Sequence, residues 1–223
     1  MIARRDWAET AVACLGDSTT WGDDGTGAGG PAIAWPARLG ELLGMGRVDN
    51  FGKKGSRVAV TDDRDDSFVE RWEAVPPDSD VILVLGGVND FSRDVPLGEM
   101  GSRDVRTFYG ALDRVAGGLA GRSPEAVVVL MTPCRTSGIA RKRIPASDAP
   151  NARGRVEADY ALAVREVAAS YAMPVIDLFD SSTISPLLPG HRELYMPDGL
   201  HYSPAGYERL ARRIAAGLTS LVG

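Results

Sequence analysis

Val81-Ile82-Leu83-Val84-Leu85-Gly86-Gly87-Val88-Asn89-Asp90 decides how this chain is read. Five apolar residues in succession leave no polar face, and two glycines stop the run. A segment this short and this uniformly apolar suits a strand covered on both sides, as strands of parallel sheets are. Asn89 and Asp90 then lie just past its carboxyl end. Working outward, the same form recurs. Upstream, Val12-Ala13-Cys14-Leu15 ends at Gly16, and Val48 to Phe51 is a second candidate. Downstream, Ala126 to Met131 is stopped by Pro133, and Val175-Ile176-Asp177-Leu178 is a fifth.

Helical spacing fills the intervals. Ile33 to Leu43 places Ile33, Leu39, Leu42 and Leu43 on one face, with Pro36 in the first turn, where a missing N–H costs little. Asp104 to Leu119 carries Val105, Phe108, Leu112, Val115 and Leu119 at intervals of three and four. Arg155 to Tyr171 does likewise through Val156, Tyr160, Val164 and Val167. Ser203-Pro204 opens a last helix with the stripe Tyr207, Leu210, Ile214, Leu218. Strand–helix alternation over five strands predicts a three-layer α/β domain spanning residues 1–223, without repeats or linkers. Gly22 to Gly30 and Cys134 to Asn151 are its long loops, and loops at the carboxyl ends of parallel strands are where such folds bind ligands.

Composition narrows the partners. With 223 residues, 44% of them hydrophobic and 25% charged, the chain has the balance of a globular protein. A net charge of −5 offers no general attraction to nucleic acid or to an anionic membrane surface. No apolar run is long enough to span a bilayer. Met1 to Trp7 lacks the apolar stretch of a signal peptide. The two cysteines, Cys14 and Cys134, read as buried thiols, and so few favour a cytoplasmic location.

Chemistry gathers at the strand ends. Gly16-Asp17-Ser18 follows the first strand, so Ser18 is expected at the carboxyl edge of the sheet, near free backbone N–H groups. Read alone, it is also an ordinary helix cap. Asp198-Gly199-Leu200-His201 precedes the last helix. A turn through glycine there can bring the carboxylate back to an imidazole that takes a serine proton. Asn89 supplies an uncharged donor. Gly55, in Asn50-Phe51-Gly52-Lys53-Lys54-Gly55-Ser56, can bring a backbone N–H close to a ligand. Both also occur as plain turn residues.

Taken in order, Gly-Asp-Ser at 16–18, Asn50-x4-Gly55, Gly87-x-Asn89-Asp90 and Asp198-x-x-His201 resemble the SGNH, or GDSL, hydrolase superfamily over almost the whole chain. The resemblance implies a flavodoxin-like α/β/α fold with a five-stranded parallel sheet ordered 2-1-3-4-5. It implies Ser18 as nucleophile, His201 as base and Asp198 as the residue that orients it. Its oxyanion hole would comprise the Ser18 and Gly55 N–H groups and the Asn89 side chain, with Gly52 as an alternative to Gly55. No metal or cofactor is implied. The expected activity is hydrolysis of short carboxylic esters, acetyl esters of a polar, carbohydrate-like alcohol being favoured. The reason is that the loops expected at the site are polar and offer no continuous groove for a long acyl chain. Lysophospholipase, thioesterase and transacylase activities stay open within the same superfamily.

Other readings fit less of the chain. Gly25-Thr26-Gly27-Ala28-Gly29-Gly30 has the Gly-x-Gly-x-x-Gly outline of a dinucleotide site, but begins too far beyond the first strand and reads as a mobile loop over the site. Ser18-Thr19-Thr20-Trp21-Gly22 could serve an FMN phosphate in a flavodoxin-like protein, which leaves Asp198-x-x-His201 unexplained. A non-catalytic binding domain on the same fold is a further alternative. Gly-x-Ser-x-Gly is absent. His191 is expected in a loop near the site, Trp35 in the core and Trp21 near the first motif. Asp62 to Asp66 and Arg141-Lys142-Arg143 are expected to be solvated.

Overall fold

A computed structural model describes residues 6–222; Met1 to Arg5, part of the segment tested above for a signal peptide, lie outside them. In chain order the main elements are β1 (Ala11–Gly16), α1 (Ser18–Trp21), α2 (Trp35–Leu43), β2 (Arg47–Gly52), α3 (Phe68–Arg71), β3 (Val81–Leu85), α4 (Val88–Ser92), α5 (Phe108–Arg122), β4 (Val127–Met131), α6 (Glu157–Ser170), β5 (Val175–Ile176), α7 (Pro189–Tyr195) and α8 (Pro204–Val222). The five strands form one parallel sheet in the order β2-β1-β3-β4-β5, the order the resemblance implied.

Side chains alternate across a strand, so each apolar run feeds two cores. Ala13, Leu15, Ile82, Val84, Val128 and Leu130 face a layer made by α3, α5 and α6, with Phe68, Phe108, Leu112, Val115, Tyr160 and Val164 against them. Val12, Cys14, Val81, Leu83, Val129 and Ile176 face the opposite layer, where α2 and α8 supply Trp35, Leu39, Tyr207, Leu210, Ile214 and Leu218. This is why the strands are apolar at successive positions. Each large side chain so buried contributes about 1.5–3 kcal/mol before entropy is counted. Among the described residues no helix is long and apolar enough to cross a membrane.

Several boundaries differ from the sequence expectation, each for a local reason. The third-layer helix expected from Asp104 starts at Phe108, because Thr107 caps it by accepting the Gly110 N–H at 3.3 Å. Ile33 lies in a turn before α2, and Arg155, Val156 and Tyr171 fall outside α6, Val156 being its N-cap. β5 stops at Ile176 rather than Leu178. There the Leu178 N–H turns to the Thr132 hydroxyl at 2.8 Å, and that hydroxyl donates to Asp177 at 2.9 Å. Four short helices, α1, α3, α4 and α7, escape periodicity because four to seven residues complete too few turns to show it.

Candidate active site

β2, β1 and β3 are neighbours in the sheet, and the segments leaving their carboxyl ends build one side of the site. After β1, Asp17 caps α1: its carboxylate accepts the Thr19 N–H and hydroxyl, both at 2.8 Å. Burial pushes the Asp17 carboxyl above its ordinary value, opposed by those two bonds. Ser18 is thereby the first residue of a helix. Its N–H has no partner among the described residues, as expected of a first-turn amide.

After β2, the Asn50 side chain ties the strand end to α1, donating to the Thr20 carbonyl at 2.8 Å. Its own oxygen accepts the Gly52 N–H at 2.8 Å, and a Cβ on Gly52 would lie 2.2 Å from the Trp21 nitrogen. Gly52 is thus spent on close packing. Gly55 differs: at φ +74° its N–H is unpartnered among the described residues. The acidic run supports that turn rather than standing wholly in solvent. Arg64 pairs with Asp66 at 2.5 Å, donates to the Lys54 carbonyl at 2.9 Å and packs beneath Gly55. Arg57 pairs with Asp63 at 2.6 Å.

After β3, the buried Asn89 amide donates to the Ser56 carbonyl at 3.0 Å and stands 3.4 Å from Asp17. Asp90 accepts the Val58 and Ala59 N–H groups at 2.9 and 3.0 Å, clamping the Gly55 segment onto α4. Burial raises the Asp90 carboxyl to about 6, against the pull of those bonds.

The other side of the site comes from the turn between α7 and α8. One Asp198 oxygen accepts the His201 and Leu200 N–H groups at 2.7 and 3.0 Å. The other meets His201 Nδ1 at 2.8 Å, and His201 Nε2 meets Ser18 Oγ at 3.1 Å. Burial alone would raise the Asp198 carboxyl, but the bonds from His201 outweigh it and hold it at about 2. It is a carboxylate at any working pH. A carboxylate on Nδ1 keeps the proton there and leaves Nε2 as the acceptor facing Ser18.

Further groups reach the site, among them Asp23 and Lys54, which the sequence did not mark as site residues. The glycine loop lies against the Asp198 turn, with a Cβ on Gly25 only 2.6 Å from the carboxylate. It carries Asp23, whose Oδ2 is 3.8 Å from His201 Nε2 and 3.2 Å from Lys54 Nζ. Lys54 Nζ in turn sits 4.1 Å from the centre of the Trp21 ring. Val88, beside Asn89, and Leu200, beside His201, form a closed apolar cluster with Ile139 and Ile144, which face each other across a bridge in the 134–151 loop. A cavity of about 10 Å³ lies beside Val88 and Leu200 and is lined also by Asp17, Thr19, Cys134 and Tyr202. His191 is not in a loop at the site: it is on α7, its Nδ1 accepting the Ser185 N–H at 3.1 Å. Arg141 to Arg143 are exposed, and Trp35 is fully buried in the core. Among the described residues no His, Cys, Asp and Glu cluster is placed to hold a metal.

A serine and a histidine within hydrogen-bonding distance, at the carboxyl edge of a doubly wound parallel sheet, define the architecture of a serine-type acylhydrolase. Residues 14–209 match the model of the GDSL-like Lipase/Acylhydrolase family, and the chain belongs to that family. It is 26% identical over 215 residues to a GDSL lipase of Mycobacterium tuberculosis, covering 94% of this chain and 82% of that one. One solved structure is 58% identical with a TM-score of 0.95, covering 97% of this chain and 99% of its own. A protein of Lactobacillus plantarum is 31% identical with a TM-score of 0.84, over 95% and 97% of the two chains.

Proposed function

We propose that the chain is a serine esterase acting on short carboxylic esters, acetyl esters above all, of a polar alcohol. The reading rests on the unbroken line Ser18 Oγ, His201, Asp198, at 3.1 and 2.8 Å. His201 Nε2 takes the Ser18 proton as Oγ attacks the ester carbonyl. The Ser18 and Gly55 N–H groups and the Asn89 amide receive the negative charge that forms on the carbonyl oxygen. The C–O bond then breaks, the alcohol leaves with the proton from Nε2, and water repeats the sequence to release the acid and free Ser18.

The apolar residues beside Asn89 and His201 support a short acyl group. Val88, Leu200, Ile139 and Ile144 are all buried against one another, so they fill the space a long acyl chain would need. Two unpaired cysteines support a reducing, cytoplasmic setting.

The test is a panel of p-nitrophenyl esters from acetyl to decanoyl, with Ser18→Ala alongside. Specificity, as kcat/KM, should peak at acetyl to butyryl and fall steeply by octanoyl, and folded Ser18→Ala should lose turnover. Unchanged turnover in that variant sinks the assignment of the nucleophile. A preference for octanoyl replaces the short-ester reading with a lysophospholipase-like or thioesterase-like one.

A further inference from the structure

The esterase mechanism uses one carboxylate, Asp198, on the Nδ1 side of His201. A second carboxylate stands on the other side. Asp23 Oδ2 is 3.8 Å from Nε2, the nitrogen that must hand its proton to the departing alcohol. Asp23 is no casual surface residue. Its side chain is 16% exposed. Oδ1 accepts the Gly25 N–H at 3.0 Å, the backbone N–H donates to the Ser18 carbonyl at 2.9 Å, and the backbone carbonyl accepts the Tyr207 hydroxyl at 2.7 Å. The loop therefore aims this carboxylate at the reacting end of the imidazole from three anchor points.

Lys54 completes the arrangement. Its ammonium lies 3.2 Å from Asp23 Oδ2 and rests on the Trp21 ring. A carboxylate and an ammonium held this close can serve one hydroxyl together, the first accepting its proton and the second donating to its oxygen. In the tetrahedral adduct on Ser18, the ester oxygen that is about to leave must face His201 Nε2. A hydroxyl on the next carbon of that alcohol would then be within reach of Asp23, whose Oδ2 is 3.8 Å from that nitrogen.

Building on the esterase reading above, we propose that Asp23 and Lys54 form the leaving-group subsite and select esters of an alcohol with a second hydroxyl adjacent to the esterified one, as in a polyol or sugar. A site built to pair with a substrate hydroxyl turns over the analogue lacking it less well. Because Lys54 is 43% exposed and already paired with Asp23, the expected preference is modest rather than the very large one of a sealed site. That makes the hydroxyl itself the variable to test.

The experiment compares 2-hydroxyethyl acetate with propyl acetate, which share the acyl group and differ by a hydroxyl against a methyl, in a pH-stat assay. The wild-type kcat/KM ratio should favour the hydroxylated ester by about tenfold or more. Asp23→Asn and Asp23→Ala should both bring the ratio to near unity, and Lys54→Met should lower it. Melting curves on each variant check folding. A wild-type ratio near unity overturns the subsite. So does a ratio that survives in folded Asp23 variants while both rates fall together, since Asp23 would then act only on His201. Failure of the wild type on these acetates and on every p-nitrophenyl ester rejects the esterase reading itself, and the subsite with it.

Discussion

Glu157, the first residue of α6, is wholly buried. One carboxyl oxygen accepts the Ser147 hydroxyl at 2.6 Å and the Thr136 N–H at 3.2 Å; the other has no partner. Burial raises the group from an ordinary 4.5 to about 7, although Ser147, Thr136 and Arg135 each pull it down. Ser147 has a second acceptor, the Thr136 carbonyl at 2.8 Å, and only one proton. A protonated Glu157 resolves this by donating to Ser147 while Ser147 donates to Thr136. The consequence for stability has a definite sign. Below pH 4.5 folded and unfolded chains both hold the proton, and Glu157 costs nothing. Between about 4.5 and 7 the unfolded chain releases it and the folded one keeps it, so stability declines across that window and is flat above it. A shift of this size corresponds to about 3 kcal/mol. Glu157→Gln keeps the shape and cannot titrate. Urea unfolding at pH 5 and pH 8 should show the variant gaining most of that amount over the wild type on going to the higher pH. Asp90, also raised, is common to both proteins and cancels. If the two proteins differ by the same amount at both pH values, the raised Glu157 is refuted.

Two more outcomes follow from the site. Asn89→Ala should lower kcat about 10²–10³-fold with little change in KM, the size seen when one oxyanion donor is lost. A rise in KM at constant kcat would instead make Asn89 a ground-state contact. Ile144→Ala should open the closed cluster beside Val88 and Leu200 and raise kcat/KM for hexanoyl relative to acetyl esters, measured on the same panel. An unchanged profile in a folded variant would move the acyl site elsewhere.

The sheet was legible because its strands carry no polar face. Val81 to Leu85 is assigned to its last residue in both sequence and structure. Short helices were hidden from periodicity, yet chemical signals for two of them were present. Ser67-x-x-Glu70 is a capping box that opens α3, and Asp17 with Gly22 brackets α1. The Asp198–His201 contact could be anticipated only in part: a glycine turn of three residues permits it, a helix-capping turn with a solvated histidine fitted equally well, and the family resemblance tipped the choice. Asp23 could not. Nothing in Gly22-Asp23-Asp24-Gly25 distinguishes one aspartate from the next, and their fates diverge only through tertiary contacts: Asp23 meets Lys54 and His201, whereas Asp24 turns outward to Thr26. Likewise the buried apolar cluster beside Asn89 and His201 comes from three separate segments, around 88, 139–144 and 200, so no linear reading could gather it.

The three expected oxyanion donors leave β2, β1 and β3, which are bonded to one another at the centre and one edge of the sheet, whereas His201 and Asp198 depend on a turn that the sheet does not hold directly. The two halves of the site therefore differ in what holds them. Ser18, Gly55 and Asn89 all follow strands of the β2-β1-β3 ladders, so their relative placement is fixed by the sheet. His201 and Asp198 are held instead by side-chain and loop contacts, Thr136 and Ser137 bonding the Gly199 carbonyl, with no strand pair involved. If the proposed roles hold, proton transfer is mounted on a turn held by side chains, and charge stabilisation on segments held by the sheet.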